Sequence, residues 1–522
     1  MSILAGRLAE PLETAELDSQ PWLPVEAPLA MPRQDFNAES PAIAEVMVTS
    51  PADIGLRRMA LAAGTLLFTL LVAIAPYVLY ARKGFEPFEV LGLGVFLLLV
   101  TPLSCWFCSA LFGFFNILKG QEQDDLAFSP RPAHPTTRTA LLMPLCNEDA
   151  SAAFARLAGI DASLARLGVS DSFDFFVLSD SNNRVAPAEE AAFLAFRAHA
   201  HSRIFMRRRT ENLERKAGNI ADWVSRFGGA YECMIILDAD STLAGETVLR
   251  LVDAMERNPT IGLIQTAPVI VGAQTLFARV SQFSVRMYGK VAAAGYAWWT
   301  GAESSYWGHN AIVRTGAFAA CARLPILPGE KPFGGDVLSH DVVEAALLRR
   351  AGWAVHVTAA LDGSCEETPP TILDFIRREH RWCQGNLQHL RLLTARGPAP
   401  YEPPSARHGR DGLPVLAPVV HGARHRPGAA AAASDQLGLA LVLPGSRVQP
   451  LHAGLADRRR PADRPQDHGR GHRPDAPARA PRLRRRPRRG EERRHRDRAV
   501  GPGRPDPDGR QRQRRDPDPA RP

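Results

Sequence analysis

The sequence ALLMPLCNED, residues 140–149, is an apolar run that ends in a cluster of amide and acidic residues. The same pattern recurs as FDFFVLSDSN at 173–182 and as MIILDAD at 234–240. Short apolar runs bounded by polar residues are typical of buried β-strands. Residues 140–145, 173–179 and 234–237 are therefore predicted to be strands of one sheet.

Further apolar runs and the segments between them predict how the strands are connected. Ile204–Met206 and Ile261–Thr266 are two more candidate strands, and Ala152–Leu167 and Glu189–Ala200 are amphipathic segments of helical length. Strands that alternate with helices form crossover units, which build parallel sheets. The predicted fold class is α/β with a mainly parallel sheet, which places ligands at the carboxyl ends of the strands.

Carboxylate and amide residues follow three of these strands. They are Asn147 and Glu148, Asp180, and the pair Asp238 and Asp240. Like charges held close together are costly unless a cation or a donor-rich ligand neutralises them, so a divalent ion with a diphosphate is predicted here. A lone D-x-D triplet is more often a turn or a helix cap, and that alternative stays open for Asp238 and Asp240.

Two uncharged stretches precede the predicted sheet. Met59–Tyr80 and Val90–Leu118 are each long enough to cross a hydrocarbon core of about 30 Å as a helix. We predict two transmembrane helices within residues 56–119; a pair of buried core helices is the alternative. Basic residues flank both stretches and also occupy their short connection, and they favour a cytoplasmic location for both long flanks.

The two ends of the chain differ from the middle in composition. Residues 1–55 show no sustained periodicity and no cleavable signal peptide, so they are predicted to be disordered. Residues 402–522 carry 28 Arg against 14 acidic residues, a net charge of +14, so the first 401 carry −6 of the total +8. This Arg/Pro-rich segment, 398–522, is also predicted to be disordered.

Seven scattered cysteines fit a reducing compartment.

The residues at the strand ends resemble those of glycosyltransferase family 2, whose members have the GT-A fold. The resemblance implies that residues 136–397 form a cytoplasmic glycosyltransferase domain that binds a nucleotide sugar with Mg²⁺ or Mn²⁺. The implied nucleotide- and sugar-binding residues are Pro144, Asn147, Glu148, Asp180, Lys216, Gly218, Asn219 and Asp238, and the implied metal ligands are Asp238 and Asp240.

Two later motifs resemble those of polymer-making members of the family. Asp341, in Ser339–Asp341, occupies the place of the general base, although a solvated Asp that caps the helix Val342–Arg350 is the alternative. Arg378–Trp382 corresponds to the Gln-x-x-Arg-Trp motif with Arg378 in place of Gln. The resemblance implies that Arg381 approaches the diphosphate and that Trp382 stacks on the acceptor sugar.

The Arg at position 378, where the motif usually has Gln, favours the subfamily that makes osmoregulated periplasmic glucans. The sequences of Arg381–His389 and Trp307–Arg314 also resemble that subfamily. This resemblance implies a multi-pass protein of the bacterial inner membrane that builds a β-1,2-linked glucan from UDP-glucose by inverting transfer. The implied partners are UDP-glucose, the growing glucan, the lipid membrane and a periplasmic glucan-processing protein; no nucleic acid is expected.

Aromatic residues before the end of the domain are candidates for stacking on pyranose rings, with ordinary core packing as an equal alternative. They are Tyr296, Trp298, Trp299, Tyr306 and Trp307.

The resemblance ends after Gly397, where the Arg- and Pro-rich segment begins. We interpret this change as a frameshift near Gly397–Glu402; an authentic basic tail is the alternative. Two other functions stay open: a membrane-attached remnant that binds nucleotide sugar without turnover, and a tail that binds nucleic acid or anionic membrane through its arginines.

Overall fold

The computed structural model describes residues 22–36, 50–120 and 126–389. The predicted tail, 398–522, and its frameshift near Gly397 lie outside the described residues, as does most of the predicted disordered segment 1–55.

Two long apolar helices, α1 (Ile54–Ala81) and α2 (Pro87–Leu118), lie where transmembrane helices were predicted. Both are long and apolar enough to cross a membrane. Their apolar side chains are largely exposed, as at Leu66 and Leu98 (62% and 68%), which argues against the alternative of buried core helices.

Ten short strands follow within residues 126–389. They are β1 (Thr139–Leu145), β2 (Phe173–Ser179), β3 (Arg203–Arg208), β4 (Cys233–Ile236), β5 (Thr242–Leu243), β6 (Ile261–Thr266), β7 (Val269–Ile270), β8 (Ala311–Arg314), β9 (Ala354–Thr358) and β10 (Ser364–Glu366). Seven form one sheet in the order β3-β2-β1-β4-β8-β6-β9, in which only β8 is antiparallel to its neighbours. The predicted α/β class and mainly parallel sheet are confirmed.

Helices cover both faces of this sheet. The helices α3 (Ala150–Arg166), α4 (Ala186–Arg197) and α6 (Gly245–Arg257) pack on one face, and α5 (Arg215–Phe227), α8 (Thr315–Cys321) and α9 (His340–Arg350) pack on the other. Two further helices are α7 (Leu276–Thr300) and α10 (Ile372–His389). Alternate side chains of one strand enter two different clusters: Leu141 packs with α3 and α6, and Leu142 packs with α5 and α8. Burial on both faces explains why the strands read as continuous apolar runs.

A second sheet joins β5, β10 and β7, with β10 in the middle. Strand β5 begins two residues after Asp240, and Thr242 pairs with Cys365 of β10. This pairing brings the end of β10, including Glu366, beside the D-x-D turn.

Residues 22–36 correct the prediction that the whole N-terminal segment is disordered. They lie along the domain in an irregular, extended path, with the Ala27 N–H bonded to the Arg226 carbonyl at 2.9 Å and Met31 buried in the core. Trp22 packs on Phe193 with ring centroids 5.4 Å apart. An irregular segment has neither a helical nor a strand period, so periodicity gave no signal for its order.

The apolar helix α2 packs on α7 through small residues. A Cβ placed on Gly113 would lie 2.8 Å from the Gly295 Cα, so the two backbones are in direct contact. Close approach of this kind requires small residues in the helix interface. This contact joins α2 to the α/β domain through α7.

We expect the buried His356 of β9 to make the domain less stable in acid. Burial lowers the pKa of His356 to about 4, whereas an exposed histidine has a pKa near 6.5. The unfolded chain therefore binds the proton first, so stability is fully present above about pH 6.5 and falls as the pH drops towards 4. The linkage amounts to about 3 kcal/mol at most. Thermal unfolding of wild type and His356→Leu at pH 7 and pH 5 measures it.

The expected result is a smaller difference in Tm between the two pH values for His356→Leu. His199→Gln, which changes an exposed histidine, is the matched control and should keep the wild-type difference. An unchanged difference in His356→Leu would show that other groups govern the acid sensitivity.

Candidate active site

The D-x-D turn follows β4 at the carboxyl edge of the main sheet. The Asp238 N–H donates to Ser241 Oγ at 2.9 Å, which shapes the turn, and the Asp238 side chain remains 41% exposed. Burial and, after it, the nearby charge of Asp238 raise the pKa of Asp240 to about 6. Two carboxylates that repel each other in this way form a site suited to a cation.

Lys216, at the start of α5, joins this turn to a second loop. Its ammonium group is ion-paired with Asp238 and donates to the Gly308 carbonyl at 2.8 Å. Burial works to raise the pKa of Asp238, but the charges of Lys216 and His309 outweigh burial and lower it. Lys216 thus lies beside the D-x-D turn, and its role towards a phosphate stays a prediction.

Asp341 lies on the other side of Gly308. Gly308 has a φ of +95°, and a Cβ placed there would lie 3.2 Å from Asp341 Oδ2. Asp341 is in the first turn of α9 and is only 3% exposed, so it is not the solvated cap of the alternative interpretation. Lys216, Asp238, Gly308 and Asp341 therefore form one continuous cluster.

The ends of β1 and β2 form a neighbouring group of predicted residues. The Asn147 N–H donates to Ser181 Oγ at 2.7 Å, and Asn147 Oδ1 accepts from the Asn182 N–H at 2.9 Å. The Glu148 carboxylate accepts from the Cys146 N–H. Pro144 lies within β1, half-buried beside this turn.

Asp180 is held by a residue that the sequence analysis did not identify. Arg209 donates to both carboxylate oxygens, at 2.7 and 2.6 Å, and Asp180 is 3% exposed. This bidentate pair fixes the orientation of the carboxylate at the end of β2. Arg209 immediately follows β3, and a single side chain at that place carries no pattern from which the pairing could be predicted.

Two predicted residues are not brought to the cleft. Asn219 is 1% exposed; its amide donates to the Leu178 carbonyl at 2.8 Å and accepts from Arg207, so it anchors α5 to the sheet. A Cβ on Gly218 would collide with the Leu213 carbonyl, so this glycine is required by the turn before α5. Both residues support the position of Lys216 from within the fold.

The site also includes His309 and Glu366, which the sequence motifs did not identify. His309 Nε2 lies 3.0 Å from Glu366 Oε2, and its Nδ1 lies 3.2 Å from Ser241 Oγ. Burial alone would lower the pKa of His309, but Asp238 and Glu366 raise it to about 9. A protonated imidazole therefore lies between the D-x-D turn and β10 at neutral pH.

A cavity adjoins this site on the side of helix α2. Glu366 and Trp307 line it together with Trp106 of α2 and with Tyr288 and Tyr296 of α7. Tyr296 and Trp307 are thus the two predicted stacking aromatics that reach a cavity. The remaining three pack elsewhere: Trp298 stacks on Phe112, while Trp299 and Tyr306 are buried in core clusters.

The predicted acceptor motif lies on α10. The Arg378 guanidinium is 4.5 Å from the centroid of the Trp382 ring, a cation–π contact, and Arg381 is exposed. Farther along the helix, Gly385 packs against Ser339, two residues before Asp341. The helix that carries the motif therefore contacts the residue that precedes α9, two positions before Asp341.

Comparison with known proteins gives two family matches and a set of close relatives. Residues 141–321 match Glycosyl transferase family 2, and residues 233–418 match Glycosyl transferase family group 2. The chain is 50% identical over 378 residues to a glucans biosynthesis glucosyltransferase H of Caulobacter vibrioides, covering 72% of this chain and 57% of that one. It is 51% identical over 385 residues to one of Xanthomonas euvesicatoria, covering 72% and 59%. The chain thus spans less than three fifths of the length of these relatives.

Among solved structures, a mannosyltransferase of Pyrobaculum calidifontis in complex with GDP-Man and Mn²⁺ is similar at 16% identity. It has a TM-score of 0.38 over 68% of this chain and 89% of that one.

Proposed function

Since the chain belongs to glycosyl transferase family 2, we propose that it transfers glucose from UDP-glucose to a growing β-glucan at the bacterial inner membrane. The proposed product is the β-1,2-linked backbone of osmoregulated periplasmic glucans, made with inversion at the anomeric carbon. The relatives named glucosyltransferase H support the choice of glucose and glucan.

One observation carries the proposal: Lys216, Asp238 and Asp341 meet around Gly308 at the carboxyl edge of the sheet. A cation and a carboxylate turn suit a nucleotide diphosphate, and a second, buried carboxylate lies within the same cluster. An inverting transfer needs this set of groups. Positive charge must stabilise the diphosphate that leaves the anomeric carbon, and a carboxylate must accept the proton of the hydroxyl that attacks the same carbon.

The D-x-D turn fits a divalent ion. In the described part of the chain no group of three or more His, Cys, Asp or Glu side chains is arranged to hold a metal by itself. Asp238 and Asp240 offer two carboxylates, and Mg²⁺ or Mn²⁺ commonly takes one or two from the protein and completes its shell with phosphate oxygens and water. When bound with the nucleotide sugar, the ion would neutralise charge on the departing diphosphate.

The chain's own residues supply the remaining steps of the proposed transfer. Asp341 accepts the proton of the acceptor hydroxyl as that oxygen bonds to the anomeric carbon and the bond from carbon to phosphate oxygen breaks. Lys216 offers a positive charge to the phosphates, and Arg209 holds Asp180 for the nucleoside. Pro144, Asn147 and Glu148 shape the adjoining turn, and Arg381 is proposed to approach the diphosphate.

The cavity between the domain and α2 is the proposed site of the glucan acceptor. Its aromatic walls, which include Trp106 and Tyr288, offer faces to the C–H side of a pyranose, and Glu366 offers a hydrogen-bond acceptor. Because Glu366 also contacts His309, the cavity and the D-x-D turn share a wall. Trp382 is proposed to stack on the acceptor sugar from α10.

An exposed apolar face beside α1 and α2 supports the membrane location. Leu276, Val280, Phe283 and Met287 lie along one side of α7 at helical spacing, and all four are exposed. The helix contains three basic residues and no acidic one. On α10, Ile372, Leu373 and Ile376 extend this apolar face, joined to it by the contact of Phe277 with Phe375. Basic amphipathic helices of this kind bind the membrane interface.

Turnover of nucleotide sugars by membranes that contain the full chain tests the proposal. We expect release of UDP and incorporation of glucose from UDP-glucose in the presence of Mg²⁺ or Mn²⁺, with little reaction from GDP-mannose. Chelation of the metal should abolish both signals. Equal turnover of other sugar nucleotides would contradict the choice of UDP-glucose.

Binding of UDP-glucose without release of UDP would instead support the alternative of a nucleotide-sugar-binding remnant. The other alternative, a basic tail that binds nucleic acid or anionic membrane, concerns residues outside the described structure. A periplasmic glucan-processing partner remains a prediction from the resemblance.

A further inference from the structure

The segment Gly334–Ser339 leads directly into α9 and therefore into Asp341. It contains no helix and no main-sheet strand, and its backbone is held by a side chain from a distant part of the sequence. Gln388 Oε1 accepts from the Leu338 N–H at 2.9 Å. The Gln388 amide donates to the carbonyls of Asp336 and Gly334, at 2.9 and 3.2 Å. One side chain thus makes three bonds to this segment.

Gln388 is suited to this task because it is buried and uses both ends of its amide. It is 1% exposed, so each of its hydrogen bonds is shielded from competition by water. A leucine of similar size would leave the Leu338 N–H and two carbonyls without this partner inside the protein.

Two neighbours of Gln388 strengthen the same contact. A Cβ on Gly385, one turn earlier, would lie 2.9 Å from the Ser339 nitrogen, so only glycine lets α10 approach so closely. His389 Nε2 lies 3.3 Å from the Ser339 carbonyl. The final turn of α10 is therefore packed on the residues that immediately precede Asp341.

The same helix carries Arg378, Arg381 and Trp382, the proposed acceptor and diphosphate residues. A continuous helix moves as a nearly rigid unit, because backbone hydrogen bonds fix each turn to the next. A shift at one end of the helix therefore displaces the other end. The distance between Trp382 and Asp341 therefore depends on how α10 is attached to the segment Gly334–Ser339.

We propose that Gln388 is a positioning residue, which fixes the general base Asp341 relative to the acceptor helix α10. The proposal rests on the proposed function, because it assigns Asp341 and Trp382 the roles given above. Gln388 touches neither substrate; it acts through the backbone of Gly334–Ser339. Misplacement of a reacting group by about 1 Å can reduce a rate about a hundredfold.

Gln388→Leu tests the proposal, and Gln384→Leu is the matched control. Gln384 lies one turn earlier on α10, is half-buried, and makes no hydrogen bond to Gly334–Ser339 within the described structure. Both variants are made in the full chain. Hydrogen exchange of a peptide spanning 334–339 reports the attachment itself, and kcat, KM for UDP-glucose and the ratio of glucose transferred to UDP released report the chemistry.

In Gln388→Leu we expect faster exchange in this peptide and a kcat that falls about tenfold to a hundredfold. KM for UDP-glucose should stay within about twofold, and a larger share of UDP release should occur by hydrolysis. Gln384→Leu should match wild type in all four measurements. Loss of folded enzyme alone would lower the apparent kcat without changing the ratio of transfer to release.

Unchanged exchange in Gln388→Leu would overturn the proposed attachment. Faster exchange with wild-type kcat and an unchanged ratio of transfer to release would overturn the positioning role. If wild type itself releases no UDP, the proposed function fails, while the exchange measurement still decides whether Gln388 holds the segment.

Discussion

Asp341→Asn is expected to lower kcat for glucose transfer by about a thousandfold. The substitution removes the carboxylate that accepts the acceptor proton, and general-base catalysis contributes about 10² to 10⁴ to a rate. The asparagine side chain is nearly the same size, so the buried pocket beside Gly308 should keep its shape. Initial rates of UDP release, with binding of UDP-glucose measured separately, test the prediction. Binding should be retained, because Asp341 acts on the acceptor.

Asp171→Asn is the control for this experiment. Asp171 is exposed in the segment before β2, away from Asp341 in the sequence, and it loses the same charge. It should keep wild-type kcat. A kcat for Asp341→Asn within about tenfold of wild type would show that another group accepts the proton.

Asp240→Asn is expected to reduce metal-dependent turnover by about a thousandfold or more. A metal ion contributes several kcal/mol to the stabilisation of charge in a transition state, and each 1.4 kcal/mol is a tenfold change in rate. Loss of one of two carboxylates should also weaken binding of the ion. Titration of UDP-glucose turnover with Mn²⁺, and of Mn²⁺ binding in the presence of UDP, tests both effects.

Asp171→Asn removes an exposed carboxylate from the loop before β2 and is the matched control. It should leave the metal titration unchanged. If Asp240→Asn kept the wild-type dependence on Mn²⁺, the assignment of the D-x-D turn as the metal site would be wrong.

The sheet could be predicted where the chain alternates between continuous apolar runs and amphipathic helices. Phe173–Ser179 and Ile261–Thr266 were predicted with the bounds that the structure has. Strands β8 and β9 were not predicted. Strand β8 is only four residues long and runs antiparallel to both of its neighbours in the sheet, so only tertiary pairing identifies it.

At the candidate site, the acidic residues that directly follow predicted strands could be identified from the sequence. Asp238 was identified in this way, whereas Lys216 was identified only through the resemblance to glycosyltransferase family 2, and the structure places the two in an ion pair. Asn219 illustrates the limit, because the same motif that places Lys216 in the cleft turns Asn219 into the core. His309 and Glu366 meet only because β10 pairs with β5, a contact between residues far apart in sequence. Periodicity contains no information on such pairs.

Residues 22–36 show the same limit outside the site. Their order depends on backbone bonds to residues near the end of α5 and on the burial of Met31, both of which need the folded domain as a partner. Local composition alone predicted disorder.

The most direct test of the central claim is the stoichiometry of the reaction in membranes that contain this chain. Radiolabelled UDP-glucose is supplied with Mg²⁺ or Mn²⁺, and both the UDP released and the glucose incorporated into β-linked glucan are measured. The account predicts one glucose incorporated for each UDP released, with both lost in Asp341→Asn. Binding of UDP-glucose with no release of UDP from the wild-type chain would contradict it.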